Sequence, residues 1–385
     1  MQLFWTILLG GIAVFWIAYG VYCLVQVRRI PRLEDFPPRP ADSGALVSVL
    51  VAARDEAKRL PAALPTLLSQ TYPRYEVVFA DDRSQDGTGA LLDEFARRDP
   101  RLRALHIREL PPGWLGKTHA LAAAYGECRG EWLLFTDADV RMDPEAVARA
   151  MHLAQSRNLD HLTLVASLDM RGFWEPVAIS YISLAFLLGI RPWRVGKAGA
   201  GSYMGIGAFQ LVRRTAYDAV GGHRRLAMEV VDDMKLGKLI KRGGYRSAVG
   251  IANRYVVVRW QEGLGNIIRG LTKNMFAGMS FHSWKALATI FGVLLLSVLP
   301  FVALGFAHGA ALVCAAAGSA GAIGFNAAVL AGSGGASPAY AAAHPLGALV
   351  FVWIAARSAI VTLWRGGIIW RDTFYPLEEL RRGMV

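Results

Sequence analysis

Three runs of apolar residues in the first 140 positions each close on acids. Leu46-Val-Ser-Val-Leu-Val-Ala52 leads into Arg54-Asp55-Glu56, Glu76-Val-Val-Phe-Ala80 into Asp81-Asp82, and Trp132-Leu-Leu-Phe135 into Asp137-Ala-Asp139. Short continuous apolar runs bounded by polar turns predict strands buried on both faces. Between the first two, Leu60, Ala63, Leu64, Leu67 and Leu68 recur at helical spacing, and Tyr72-Pro73 ends that helix. Gly89–Arg98 and Lys117–Cys128 read as further helices, with Leu102–Ile107 a short strand between them. Regular alternation of strand and helix predicts an α/β fold with a parallel sheet and helices on both faces. Open sheets of this kind bind ligands beyond the carboxyl ends of their strands, where these acids recur.

The hydrophobic pattern changes outside that region. Leu3–Val25 carries no charge and is long enough to span a bilayer, and Arg28, Arg29 and Arg32 follow it. That order predicts a retained anchor with the next domain on the cytoplasmic side. From Ala286 to Trp364 the only formal charge is Arg357. Ala286–Ala307 and Leu346–Trp364 are expected to cross, and the Ala/Gly-rich Ala310–Ala331 to be re-entrant or packed among the others. Phe173–Ile190, bracketed by Trp174, Trp193 and arginines, reads as an interfacial helix, a buried core helix being the alternative. The chain then divides into an anchor (1–27), a linker (28–44) with turn formers at Pro37–Gly44, an α/β domain (45–280), a membrane region (286–364) and a basic tail (365–385). Three spans in all would place that tail, with its four arginines, in the cytoplasm, making this a multi-pass protein of the cell membrane.

Composition agrees with this division. The chain is 54% hydrophobic with a mean hydropathy of +0.32, too apolar for an ordinary soluble enzyme. Its net charge of +12 suits contact with anionic lipid, and no nucleic-acid-binding motif accompanies it. Cys23, Cys128 and Cys314 are too scattered for a disulfide framework or a metal site.

Asp137 and Asp139 point the same way from an extended chain and suit Mg²⁺ or Mn²⁺ carrying a diphosphate. A polar turn before a helix beginning at Asp143-Pro144 is the plainer reading of the motif alone. Acids at successive strand ends favour a nucleotide-diphosphate site.

Longer motifs resemble family 2 glycosyltransferases of GT-A fold. Val47-Ser-Val-Leu-Val-Ala-Ala-Arg-Asp-Glu56, Gln70-Thr-Tyr-Pro-Arg-Tyr-Glu-Val-Val78 and Asp81-Asp-Arg-Ser-Gln-Asp-Gly-Thr88 carry the resemblance, and the Asp137/Asp139 pair sits where that family places it. Pro111–Leu121, Gly207–Tyr217 and Gly221-Gly-His223 are similar to a membrane-anchored subgroup of hopanoid-associated, carotenoid and ceramide glycosyltransferases. The resemblance implies a nucleotide-sugar donor, a UDP-sugar being the first expectation, and a lipid acceptor. It implies that Asp82 holds the base or ribose, that Asp55 and Glu56 line the nucleotide pocket, and that Lys117 lies near the diphosphate. Asp139 is the implied metal ligand, with Asp137 beside it on the ribose and metal shell. Val231-Asp-Asp-Met-Lys-Leu236 resembles the family's Glu-Asp-x-x-Leu element. Asp233 is then the base and Asp232 its shortened neighbour. Acids at a helix N-terminus also complement the dipole, and both roles can hold. Asn266-Ile-Ile-Arg-Gly270 keeps the arginine of the Gln-x-x-Arg-Trp motif of processive synthases but neither its Gln nor its Trp. That departure argues against polymer extrusion. Arg269 and Lys273 remain candidates for the diphosphate, or form a basic helix face against the membrane. His119, His223 and His282 are expected to be structural or substrate-lining.

Two rivals stand beside inverting, metal-dependent transfer to a membrane lipid. One is transfer to polyprenyl phosphate. The other is a transport or binding protein with a degenerate nucleotide module, against which stand the intact acids and the single charge of the membrane tract.

Overall fold

Alternation along β1 (Val47–Ala53) explains why the sheet is buried on both sides. In the computed structural model, which describes residues 1–38, 44–333, 335–371 and 373–385, Val47, Val49, Val51 and Ala53 enter one core and Leu50 the other. β2 (Tyr75–Asp82) repeats this with Val77 and Phe79 against Val78 and Ala80. β4 (Trp132–Asp137) does so with Trp132 and Leu134 against Leu133 and Phe135. Each such fully buried side chain contributes roughly 1.5–3 kcal/mol, so the central strands, and the groups at their ends, are rigidly placed.

The structure clusters into two units. Residues 30–168, 192–260 and 382–385 form the one that contains this sheet. Its eight strands run in the order β3-β2-β1-β4-β7-β6-β8-β5, with β3 Leu102–Ile107, β5 Val140–Met142, β6 His161–Leu168, β7 Gln210–Arg213 and β8 Ser247–Val258. β3, β2, β1 and β4 are mutually parallel, as are β6 and β8, whereas β7 is antiparallel to both its neighbours and β5 to β8. The expected parallel sheet is therefore present but extended by strands that sequence pattern did not announce. β7 holds only four residues, and β5 only three. Residues 39–43 of the expected linker lie outside the described residues.

The other unit comprises residues 1–29, 169–191 and 261–381. Among the described residues, five stretches of helix here or at its borders are long and apolar enough to cross a membrane: 2–27, 174–194, 283–303, 309–332 and 338–365. The first is continuous from Gln2 to Val27 through a π turn at Phe15–Tyr19. The expected weak segment proves to be an unbroken helix, Gly309–Ser333. Its small residues are the reason. Gly318 lies against Ala13 and Gly321 against Trp16 and Ile17, while Gly10 meets Cys314 and Gly20 meets Phe325. The two helices thus run side by side in the same direction, backbones close, as small-residue seams allow in lipid.

His344 opens the last long helix, His344–Arg365, and its ring meets Trp16 at 5.2 Å, Tyr181 at 5.1 Å and Phe301 at 5.9 Å. Trp16 Nε1 also donates to the Leu296 carbonyl at 2.7 Å, inside a second π turn, Leu294–Val298. Helix Trp174–Ile190 carries a buried Glu175 whose carboxylate accepts from the Arg171 N–H and the Gly263 N–H, the latter beginning helix Gly263–Gly278. That anionic partner suits a helix N-terminus. Residues 261–280, expected within the α/β domain, belong to this unit, and the expected basic tail includes a hairpin, Gly367–Trp370 with Thr373–Pro376.

Candidate active site

Register brings the acids together. Ala53 pairs with Asp81 across β1 and β2, and Ala52 pairs with Asp137 across β1 and β4. Asp55, Asp82 and Asp137 therefore emerge along one edge, at the carboxyl ends of three adjacent parallel strands.

The β1–β2 end of this edge is held by its own loops. Asp55 has φ +56°, donates its N–H to Ser84 Oγ and accepts from the Gln85 N–H at 2.8 Å. Glu56 is buried, and its N–H donates to Thr88 Oγ1. Asp86 accepts from the Ala57 and Thr88 N–H groups and the Thr88 hydroxyl. Against the opposing effect of burial, those bonds hold its carboxyl below the usual range. Asp82, only 4% exposed, is gripped by Arg83 at 2.7 and 3.0 Å. A Cβ on Gly116 would lie 2.2 Å from its carboxylate, so the helix Gly116–Glu127 can approach this acid only with glycine at its start.

That helix carries Lys117. Its Nζ donates to Asp137 Oδ1 at 2.7 Å and stands 3.9 Å from Asp232 Oδ1. Burial works against its charge, but Asp137, Asp232 and Asp233 outweigh burial and raise its pKa. A fixed ammonium follows. Asp139 lies beyond, 3.5 Å from Arg59, which stands equally far from Glu56. Burial and the neighbouring Asp137 push the Asp139 carboxyl up to about 6.

Asp232 and Asp233 open the helix Asp232–Arg242. Asp232 is buried between Lys117 and His223, whose Nε2 is 3.8 Å away. Asp233 accepts from the Gly207 N–H at 2.9 Å through one oxygen and from the Met234 N–H at 2.7 Å through the other. Burial first, then Asp232, raises its carboxyl to about 6 against the pull of Lys117. An oriented carboxylate with that affinity can take a proton near neutral pH.

Burial and the nearby Asp137 raise the proton affinity of Asp139, which marks a site that would welcome positive charge. Asp137 and Asp139 fit a divalent cation in this respect. No group of three or more His, Cys, Asp or Glu able to hold a metal occurs among the described residues. Mg²⁺ is commonly bound by one or two carboxylates completed by substrate phosphates, which is the provision seen here.

Asp55, Glu56, Asp82, Lys117, Asp137, Asp139, Asp232 and Asp233 all belong to one unit. Arg269 belongs to the other unit, on helix Gly263–Gly278, where it donates to Asn266 Oδ1 at 2.7 Å. Sequence reasoning did not single out Arg59, Arg83 or Gly207. Arg59 lies one helical turn after Glu56, a spacing that could have flagged it. Gly207 opened one of the motifs behind the resemblance but was given no role of its own. Its Cβ would sit 2.6 Å from Asp137 Oδ2, and its N–H holds Asp233. Gly207→Ala is accordingly expected to cut turnover at least about tenfold by displacing either carboxylate, with a cooperative melt retained. Steady-state kinetics beside a thermal melt check this, and unchanged turnover would show that the loop relaxes freely.

Comparison with known proteins agrees with this geometry. The family model described as "Glycosyl transferase family 2" matches residues 48–221. The 4,4'-diaponeurosporenoate glycosyltransferase of Staphylococcus haemolyticus is 24% identical over 245 residues, 63% of this chain and 64% of the relative. The beta-monoglucosyldiacylglycerol synthase of Trichormus variabilis is 28% identical over 221 residues, 56% of this chain and 45% of the relative. The chain therefore spans less than two thirds of the length of these relatives. The mannosyltransferase PcManGT of Pyrobaculum calidifontis, solved with GDP-Man and Mn²⁺, is 21% identical with a TM-score of 0.50, covering 93% of this chain and 99% of that one. That likeness concerns the fold, which is GT-A. On the strand-end acids, the sheet and the matched family model together, residues 48–221 form a glycosyltransferase family 2 domain.

Proposed function

We propose that this enzyme moves a sugar, with inversion, from a nucleotide-sugar donor to a hydroxyl of a membrane lipid. The observation that carries the reading is the constellation of Lys117 between Asp137 and Asp232, with Asp233 next to it. Asp233 would remove the acceptor's proton as its oxygen bonds to the anomeric carbon. The bond from that carbon to the diphosphate breaks, and the nucleotide diphosphate leaves with the electron pair. Lys117 meets the developing charge, since fixed cations at that point favour the transition state over the ground state. Asp139 and Asp137 would hold Mg²⁺ or Mn²⁺, which supplies further charge neutralisation of the diphosphate when bound. Asp82, Asp55 and Glu56 would receive the nucleoside. A lipid acceptor is supported by the apolar helices of this chain and by the names of the two relatives. Purified enzyme given a panel of nucleotide sugars and total lipid extract, read by mass spectrometry, tests the reading. Transfer only to soluble sugars, or none, would defeat it.

The arrangement in the membrane follows from parity. The chain leaves the catalytic unit after Leu168 and returns at Pro192, then leaves after Trp260 and returns at Arg382. The return is anchored, because Lys235 and Lys238 donate to the Val385 carbonyl and the Val385 N–H donates to Glu229. A folded, water-exposed unit lies on one side of a membrane, so each excursion crosses an even number of times. Helix Trp174–Ile190 is alone in its excursion and so does not cross, although its Tyr181 meets Ser297 and His344 at the level of Trp16. In the second excursion the 283–303 and 309–333 helices cross. His344–Arg365 begins level with Trp16, midway along the first helix, and returns to the side it came from. The re-entrant segment is thus assigned to the approach to His344 rather than to 310–331. The cytoplasmic side is supported by Arg28, Arg29 and Arg32. In a chain with its native cysteines replaced, Glu379→Cys should resist a membrane-impermeant thiol reagent in intact cells and react after permeabilisation. Labelling in intact cells would refute this topology.

A further inference from the structure

The membrane unit holds a second concentration of charge. A cavity of about 300 Å³ opens between helix Gly263–Gly278, the end of His344–Arg365 and the strand Gly367–Trp370. Arg269 and Lys273 line it from the first helix, Arg357 and Arg365 from the second. Spacings of four and eight residues put each pair on one helix face. Among the described residues no Asp or Glu lines the cavity. Arg269 and Arg365 stand exposed at its mouth and Lys273 lies over the Trp370 ring at 3.5 Å, so positive charge converges on the cavity and favours an anion there. Arg357 carries the sharpest demand, because its Nε is buried with no hydrogen-bond partner. A buried donor left unpaired is costly, and a guanidinium is shaped to serve phosphate with several donors at once.

Depth identifies the source of that anion. His344 is level with the middle of the first helix, through its contact with Trp16. Arg357 lies thirteen residues further on, about 20 Å at ~1.5 Å per residue. The hydrocarbon half-thickness is about 15 Å, so the cavity sits at headgroup depth. Its flank agrees, since Trp364 at the helix end is 83% exposed and Ile369 and Phe374 on the adjoining hairpin about half exposed, the pattern of an interfacial anchor. Val361 and Ile368 supply an apolar wall beside the cations.

We propose that this cavity binds the phosphate headgroup of an anionic phospholipid, held as a resident lipid distinct from the sugar acceptor. The proposal rests on the membrane arrangement given above, but not on glycosyl transfer. The full chain, purified in detergent, would be offered phosphatidylglycerol and phosphatidylcholine in equal amounts and examined by native mass spectrometry. It is expected to retain the anionic lipid at least about tenfold more, as several cations near one phosphate should dictate. Arg357→Gln should abolish that preference. Arg365→Gln, at the helix end where folding is less at stake, should weaken it. Millimolar inorganic pyrophosphate should leave the bound lipid in place. Equal retention of both lipids, or an unchanged preference in the folded variants, would overturn the proposal. Displacement by pyrophosphate would also overturn it and reassign the cavity to free phosphates. No sugar donor takes part, so an inactive transferase with intact lipid preference would refute only the functional reading.

Discussion

Asp233→Asn is expected to lower kcat by roughly 10²–10⁴-fold, the usual cost of losing a general base, while the affinity for donor changes little. Asparagine keeps the size of the side chain and can still accept from one of the N–H groups of Gly207 and Met234. It cannot take a proton. The pH profile separates this role from a structural one. With its carboxyl raised to about 6, the wild-type base is ionised above that pH and progressively protonated below it. The rate should be flat above about pH 6.5 and fall towards tenfold per unit well below 6. Folding runs the other way over this window. A carboxyl that holds its proton more tightly when folded than unfolded favours the native state at low pH, and that contribution fades as pH rises from about 4 through 6. A lost acid limb in rate with no loss of stability therefore cannot be unfolding. Unchanged turnover in Asp233→Asn would place the base elsewhere, and a variant with equal losses in kcat and donor affinity would make Asp233 a structural residue.

Asp139→Ala should abolish turnover, a loss of roughly 10³-fold or more if the metal supplies the charge that the leaving diphosphate needs. Excess EDTA should do the same to the wild-type enzyme, and added Mn²⁺ or Mg²⁺ should restore the wild type but not the variant. Lys117 cannot substitute, because it is already committed to Asp137 and sits close to Asp232. Because its carboxyl stands at about 6 without the ion, metal affinity should weaken as pH falls through that value, ion and proton competing for one site. Isothermal titration of nucleotide diphosphate with and without Mn²⁺ reads the binding step directly. Full activity in excess EDTA would remove the metal from the reaction.

Much of the site was legible in the chain because it depends on local pattern. Apolar runs of strand length, ended by acids, fixed both the strands and the edge from which Asp55, Asp82 and Asp137 project. Burial on both faces leaves such a strand only one way to end, so its next polar residues must lie at the sheet's rim. Three of the long apolar helices, 2–27, 283–303 and 338–365, were equally legible by length and lack of charge. What tertiary structure decided were matters of long-range contact. Gly207 donates to an acid 26 positions away, and no periodicity encodes that. The short antiparallel strands β5 and β7 exist because longer neighbours offer them unpaired edges, not because their own residues insist on it. Helix Gly309–Ser333 looked too weakly apolar to be a firm span, yet its glycines are what let it lie against the first helix. Hydropathy scores each residue against lipid alone, whereas packing scores it against a partner. For the same reason the sequence left Arg357 as a lone charge in an apolar tract, and only the fold set Arg269, Lys273 and Arg365 around the same cavity.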